Sequence, residues 1–356
     1  MQKNNSTLSF SDLAISRRKI KSEFFNQINN LLDWTKIEKI ITKHYVRGES
    51  VVGRPSYSGL LLFKMSLLQT WYGLSDYEVE DRVNDCLSFM KFVGLSLEDD
   101  VPDHSVLSRF RKDMTEKGAY ERLLKHINDE LEKKRIVLKT GLIVDASITD
   151  TPRKPRGKAV YEITEDRNEI DETTRKDGDS DDVTSVPPQR KVQSHVDPDG
   201  AWIKKNGKLR YGFKKHVGTD NNGLVLSVIT TPANESDIKH LAEVIEKSDL
   251  PKGARVRADK GYSSEENRKY LKEHGYKSGI MHKAKRGTPL NNQQKKFNKI
   301  VSKTRYKIER TFGGIKRWFA SQYARYVGIK KMHTQHVLEA IAYNLYRSPG
   351  IIMSKP

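Results

Sequence analysis

The chain has 356 residues, enough for two ordinary domains, with 36% hydrophobic and 31% charged residues and a formal net charge of +19. That excess selects a polyanionic partner, nucleic acid or an anionic membrane surface, and the longest apolar stretch, around Leu60–Leu68, is broken by Lys64 and Ser66 and is too short to span a bilayer. Met1-Gln2-Lys3-Asn4-Asn5 leads into no apolar signal region, and the single cysteine, Cys86, excludes an internal disulfide and a Cys-based zinc site, so a cytoplasmic nucleic-acid-binding protein is expected.

Residues from about 10 to 135 are predicted to be helical. Leu60, Leu61, Leu67 and Leu68 mark one apolar helix, closed at Tyr72-Gly73. Ser75 with Glu78 three residues on forms a capping-box pattern. Asp103 caps a further helix that should carry Val106, Leu107 and Phe110 inward and Arg109 and Arg111 outward, and Tyr120, Leu123, Leu124, Ile127 and Leu131 follow a helical period. Short helices with outward arginines suggest a helix-turn-helix cluster that contacts DNA through Arg109 and Arg111. The plainer alternative is a helical dimerisation or scaffold domain.

The pattern changes at Gly141. Leu142–Ile148 is a short, β-branched apolar run of the kind that forms a buried central strand. From Thr151 to about Val192 the chain is polar and poor in core formers, as expected of a loop or disordered insertion. Tyr211–Val217 and Leu224–Thr230 flank Asn221-Asn222-Gly223, a hairpin signal. A helix from about Ser236 to Lys247, a strand over Arg255–Asp259, a helix capped by Ser263 with Glu266, and two long helices near Gln293–Phe319 and Thr334–Tyr346 complete an α/β layer pattern.

Two acids are expected where strands end, Asp145 after Leu142-Ile143-Val144 and Asp259 after Arg255–Ala258. Each residue taken alone reads equally as a turn cap. Glu309 is the only acid between Met281 and Lys331 in a stretch crowded with lysine and arginine. At about 100° per residue, Arg305, Glu309 and Lys316 share one helix face beside an apolar stripe of Val301, Ile308, Phe312, Ile315 and Phe319. Alone, Glu309 would be an ordinary partner of Arg305 one turn away. Together the three acids fit phosphodiester chemistry, in which two divalent ions about 4 Å apart serve the attacking and leaving oxygens. Magnesium needs only a few hard oxygen ligands, and surrounding cations hold DNA phosphates.

The residues resemble a bacterial insertion-sequence transposase of the DDE type, in the group named after insertion sequence five. The first acid lies in Leu142-Ile143-Val144-Asp145-Ala146-Ser147, the second in Ala258-Asp259-Lys260-Gly261-Tyr262, and the third in Arg305-Tyr306-Lys307-Ile308-Glu309-Arg310-Thr311-Phe312-Gly313, followed by Lys316-Arg317-Trp318-Phe319. Gly53-Arg54-Pro55, Pro102-Asp103-His104-Ser105, Asp197-Pro198-Asp199, Tyr211-Gly212-Phe213-Lys214, Thr231-Pro232-Ala233-Asn234 and Ala342-Tyr343-Asn344-Leu345 match in the same order. The resemblance implies an α/β fold: a helical N-terminal domain over residues 1–136 that binds terminal-repeat DNA, then an RNase H-like catalytic domain, a mixed sheet flanked by helices, over 137–350 with a charged insertion at about 151–193. It implies Asp145, Asp259 and Glu309 as catalytic ligands of two Mg2+ ions, with Mn2+ substituting. It also implies DNA contacts from Arg305, Lys316, Arg317 and Arg310. Arg305 and Lys316 match the basic members of a Tyr-Arg-Glu-Lys signature, but its tyrosine position holds Ser302. The implied partners are double-stranded element ends and target DNA, with a homodimer or higher oligomer on DNA in the bacterial cytoplasm at the nucleoid.

Two other readings use the same features: a DNA-binding repressor, which leaves Glu309 unexplained, and an RNase H-like nuclease without strand transfer. Asp197 and Asp199 read as turn residues. Asp150 and Asp237 lack a counterpart in the match. His333 and His336 have no third ligand for zinc. His216 is read as a DNA contact or a strand end, and Trp202 and Trp318 as packed side chains.

Overall fold

The structure, a computed structural model, describes residues 22–45, 56–155, 161–162, 189–190, 195–205, 207–284 and 287–353. The stretch Gly53-Arg54-Pro55, the residues before 22 and most of the insertion expected at 151–193 lie outside the described residues.

The first region is helical: α1 (Ser22–Leu31), α2 (Trp34–His44), α3 (Gly59–Tyr72), α4 (Asp76–Asp85), α5 (Leu87–Val93), α6 (His104–Glu116) and α7 (Ala119–Lys133). Helix α3 buries Leu61, Leu62, Phe63, Met65, Leu67 and Leu68, so it has no polar face and occupies the middle of the region. It stops where Gly73 takes the left-handed conformation at φ 68°. Ser75 and Glu78 close the expected capping box, and Asp103 caps α6 by accepting from the Ser105 and Val106 amides.

Arg109 is exposed, as its position on α6 suggests, but Arg111 is not. Arg111 shares the inward face with Leu107 and Met114, one turn to either side. Its guanidinium makes a bidentate pair with Asp76 of α4 at 2.6 and 3.0 Å and lies over the Tyr326 ring. The expectation of an outward, DNA-contacting Arg111 is therefore corrected: this cation ties α4 and α6 together within the fold.

The sheet comprises β1 (Gly141–Asp150), β2 (Ala201–Lys205), β3 (Lys208–Thr219), β4 (Val225–Pro232), β5 (Arg255–Ala258) and β6 (Lys277–Ile280). Across it the strands run β4-β3-β1-β5-β6, antiparallel from β4 to β1 and parallel from β1 to β6, the mixed sheet expected. The start of β3 projects beyond β1 and pairs with β2 instead. Tyr161–Glu162 and Gln189–Arg190 form a separate short ladder.

Helices α8 (Leu241–Ser248), α9 (Glu265–Glu273), α10 (Asn292–Trp318) and α11 (Ile329–Met353) accompany the sheet. The cap of α9 is Ser264, which accepts from the Asn267 amide, one residue later than the Ser263–Glu266 pattern suggests. Helix α11 is buried almost all round because it is wedged between the sheet and the helical region. Trp71 of α3 donates to the Ala342 carbonyl at 2.9 Å, and Asn344 donates to Asn128 of α7 at 2.8 Å and to the Val225 carbonyl at 2.7 Å. One continuous apolar cluster runs from Phe25 through the strands to Leu345. Among the described residues no helix is long and apolar enough to cross a membrane.

Gly212 marks the point where β3 leaves β1. It has φ 156°, and a Cβ there would drive into the Thr149 carbonyl oxygen and sit 2.9 Å from the Thr151 amide. Gly212→Ala should therefore lower stability by about 1–3 kcal/mol or more, measured by denaturant unfolding. A loss below about 0.5 kcal/mol would mean that the strand shifts freely to make room.

Candidate active site

Asp145 sits in the middle of β1, not at its end as the sequence pattern suggests. The parallel pairing of β1 with β5 nevertheless stops at Val144 opposite Ala258. Asp145 and Asp259 thus occupy equivalent positions one step beyond the last pair, where β5 turns away and β1 continues alongside β3. Asp259 caps the short turn Lys260–Tyr262 by accepting from the Lys260 amide. Asp259 therefore caps a turn and meets Arg305 of α10 at the same time.

The third acid arrives on α10, which buries Val301, Ile308, Phe312 and Ile315 against the core. Asn291 and Gln294 form a capping box that starts this helix. Burial of the apolar stripe fixes its rotation and turns Arg305 and Glu309 toward the end of the β1–β5 pairing. Arg305 then meets all three carboxylates. Its Nη2 lies 2.9 Å from Asp145 Oδ2 and 3.7 Å from Glu309 Oε1, and its Nη1 lies 3.4 Å from Asp259 Oδ2. Exposure grades outward, from 19% for the Asp145 side chain to 30% for Asp259 and 59% for Glu309.

Electrostatics follow from that grading. Burial pushes the Asp145 carboxyl above its ordinary range; Arg305 opposes this without reversing it, and Asp259 adds to the upward push. Burial works against the charge of Arg305 too, but Asp145, then Asp259 and Glu309, hold the guanidinium firmly protonated. Tyr262, from the turn after Asp259, is buried beside this cluster, and its hydroxyl has no partner among the described residues. Burial, then Asp237, Asp145 and Asp259, keep that phenol neutral far above ordinary pH.

The arrangement is a set of hard oxygen donors gathered around a cation, and the donor chemistry suits a divalent ion with several waters. Among the described residues, no group of three or more His, Cys, Asp or Glu side chains stands as a ready-made metal cage. The acids meet through Arg305 instead, whose Nε has no hydrogen-bond partner among the described residues.

Lys316 lies on the same helix face as Glu309, half-buried, where burial and then Lys215, Arg210 and Lys205 push it down to about 8. Arg317 and Arg310 are exposed, and Arg310 donates to the Asn222 carbonyl in the β3–β4 turn at 3.0 Å. Tyr306 is 56% exposed. His216 is fully buried, hydrogen-bonded to Thr231, and faces Lys214 and Asp237 rather than solvent. His336 bridges Thr149 and Thr230 inside the protein. Trp202 packs on Tyr211, and Trp318 on Tyr343 and Tyr346, each tryptophan remaining 39% exposed. Asp197 and Asp199 accept from the Gly328 and Ile329 amides and so cap α11 from a distance. Sequence reasoning missed the contacts of Arg305 with the two aspartates and the place of Tyr262 beside them. The only signal for the latter was its position three residues after Asp259 in a turn.

The burial of Asp145 has a consequence for pH. A carboxyl whose folded pKa lies above its unfolded value destabilises the fold at neutral pH, and the penalty disappears as pH falls through the folded value toward the unfolded value near 3.8. In metal-free buffer, Asp145→Asn should be at least as stable as the parent chain at pH 7. The difference should shrink toward zero as pH is lowered to the ordinary carboxylate range. Thermal unfolding across a pH series tests this; a variant that is less stable at pH 7 and matches the parent only in acid would reverse the assignment.

A family model described as the transposase DDE domain matches residues 138–345, and one described as a transposase domain (DUF772) matches residues 14–113. The transposase for insertion sequence element IS1106 from Neisseria meningitidis serogroup B is 37% identical over 242 residues, which are 67% of this chain and 76% of that protein. Among solved structures, the Mos1 transposase paired-end complex with left transposon end matches at 10% identity, covering 86% of this chain and 81% of its own, with a TM-score of 0.20. The Mos1 mariner paired end complex with Mn gives 11% identity, 92% and 96% coverage and the same TM-score of 0.20. Likeness that low carries no weight for the site. The family match spans more than half the chain and contains all three acids, and the chain belongs to the DDE transposases, metal-dependent enzymes that cut and transfer DNA.

Proposed function

We propose that Asp145, Asp259 and Glu309 are the catalytic acids and hold two Mg2+ ions, with Mn2+ able to replace them. The observation that carries this reading is that one guanidinium, Arg305, contacts all three carboxylates although they come from different elements. When bound, the metal pair would activate the attacking oxygen and neutralise the leaving oxygen of a phosphodiester. The chain's own residues do the rest. Lys316, Arg317 and Arg310 hold DNA phosphates around the acids, and Arg305 bridges the acids in the free protein and contacts phosphate in the complex. Tyr262, buried and neutral, keeps water away from the inner side of Asp145 and Asp259. Water is the nucleophile for cleavage of an element end, and the freed 3′-hydroxyl attacks target DNA in strand transfer.

The division of labour is part of the proposal. Residues 1–136 supply terminal-repeat selectivity, 137–350 the chemistry, and the protein acts on DNA as a homodimer or higher oligomer at the nucleoid in the bacterial cytoplasm. With Arg111 committed to Asp76, the exposed Arg109 is the arginine on α6 left to reach a base edge.

Asp145→Asn, Asp259→Asn and Glu309→Gln should each lower Mg2+-dependent cleavage of element-end DNA by about 10²–10³-fold or more. Affinity for the same DNA should stay within a few-fold, because binding rests on lysine and arginine contacts. Chelation of the divalent ion should reproduce the loss in the parent chain. Gel-resolved cleavage and anisotropy binding read the two quantities separately, and near-parental cleavage by any one variant removes that acid from the site.

Arg109→Ala should reduce the preference of the full chain for terminal-repeat over random DNA by about 1–3 kcal/mol, with little change in non-specific binding. Competition binding at fixed salt measures it. An unchanged preference would return the helical region to the scaffold reading.

A further inference from the structure

Where α6 meets α11, the two helices are pinned by Thr115 and Thr334, whose hydroxyls lie 2.8 Å apart. Residues three apart on a helix are neighbours on one face. Lys112 stands one turn before Thr115 on α6, and Lys331 one turn before Thr334 on α11. Both lysines are exposed, and both line one cleft of about 150 Å³ beside the pin. Ser108 and Arg109 of α6 extend the same wall. Arg111 and Tyr326 line the cleft as well, the guanidinium lying over the ring at 4.5 Å. Because Arg111 is already paired with Asp76, it serves as part of the floor and not as a ligand. Glu116 stands 3.9 Å from Lys112, but both side chains are largely in water, so that pair is weak.

We infer that Lys112 and Lys331 grip one phosphate of the duplex DNA backbone between them, with the Ser108 hydroxyl at its side. Pockets for drug-sized ligands start at about 300 Å³, so this cleft takes a small group and not a nucleotide or a cofactor. Two ammonium groups and a hydroxyl, all donors, suit an anion with several acceptor oxygens. The position selects a backbone phosphate. Arg109, one turn from Lys112 on the same helix, is the residue proposed above to reach a base edge, and a groove-reading helix is held in register by phosphates at its flank. The two lysines come from different halves of the chain: Lys112 from the helical region, and Lys331 from α11, which follows the helix that carries Glu309. A phosphate in this cleft therefore fastens both halves to one duplex, so that the DNA read by α6 is set at a fixed placement relative to the acids. The inference rests on the proposed action on duplex DNA and adds the contact that ties reading to chemistry.

The test uses the full chain, metal-free, with a fluorescein-labelled random-sequence duplex of about 20 base pairs, roughly two helical turns. Affinity is measured by anisotropy across a sodium chloride series. Lys112→Gln combined with Lys331→Gln should make the slope of log affinity against log salt shallower by about 0.9, the value for one phosphate, whereas two separate phosphates would give about 1.8. Lys125→Gln, on α7 and paired with Asp249 at 3.4 Å, should keep the parental slope. Matching thermal unfolding curves for all variants establish that the fold is intact. A change near 1.8 overturns the shared grip, and an unchanged slope overturns the cleft as a DNA site while leaving the transposase reading standing. An equal change with Lys125→Gln shows a general charge effect and also overturns it. Thermal stabilisation of the parent by millimolar inorganic phosphate at constant ionic strength, lost in the double variant while the duplex slope stays parental, would assign the cleft to a free anion and overturn the proposal. Absence of salt-dependent duplex binding by the parent chain overturns both this inference and the action on DNA beneath it.

Discussion

Three carboxylates from distant parts of the chain can share one corner of the fold because Arg305 stands between them. Without a cation there, burying Asp145 beside Asp259 would set two negative charges against each other in a poorly solvated place. The guanidinium suits the task because its planar fork presents several donors at once and stays protonated. Much of the sheet-bearing half of the chain serves to bring that one side chain to that one point. The apolar stripe of α10 sets its rotation, and the Asn291–Gln294 cap starts the helix. The turn at Lys260–Tyr262 ends β5 where Asp259 must stand.

The two halves of the chain are joined by more than a linker. Helix α11 carries Asn344, whose side chain hydrogen-bonds to α7 through Asn128 and to β4 through Val225, in a buried amide arrangement with its donors and acceptors matched. A buried polar cluster of this kind fixes one relative placement of the elements, since any slip leaves an amide without partners. The Asp76–Arg111 pair does the same within the helical region, where a charged pair replaces an apolar contact between α4 and α6. Movement of the helices against the sheet would have to break the Trp71 bond to the Ala342 carbonyl as well.

Much of this was legible in the sequence, and the reasons differ by element. Caps at Ser75 and Asp103 are local chemistry, so they could be read from residues three apart. The strand around Asp145 was legible as a β-branched apolar run, but its full length was not. Its second half, Ser147–Asp150, pairs with Phe213–Lys215 and Gly212, and that long-range register has no local signature. Arg111 failed for a related reason. Charge suggests an outward position, whereas the period through Leu107, Arg111 and Met114 points inward, and only the distant Asp76 decides between them. Two of the acids were legible because each interrupts a pattern: Asp259 follows a short strand, and Glu309 is a lone acid among cations. That Arg305 touches both aspartates depends on how α10 crosses the sheet, which no spacing encodes.

The aspartates of Asp197-Pro198-Asp199 do more than cap α11. The Asp197 amide donates to the Arg153 carbonyl at 2.9 Å, and its carboxylate holds the Gly328 amide, so both roots of the segment between 153 and 197 are fastened to the body of the protein. Lengthening a chain between two fixed anchors costs little; each doubling of its length adds only about 0.6 kcal/mol of closure entropy. The neck at Arg153–Asp197 therefore makes this segment a natural port. A reporter or tethering module spliced in would leave the register of β1 and the corner held by Arg305 undisturbed.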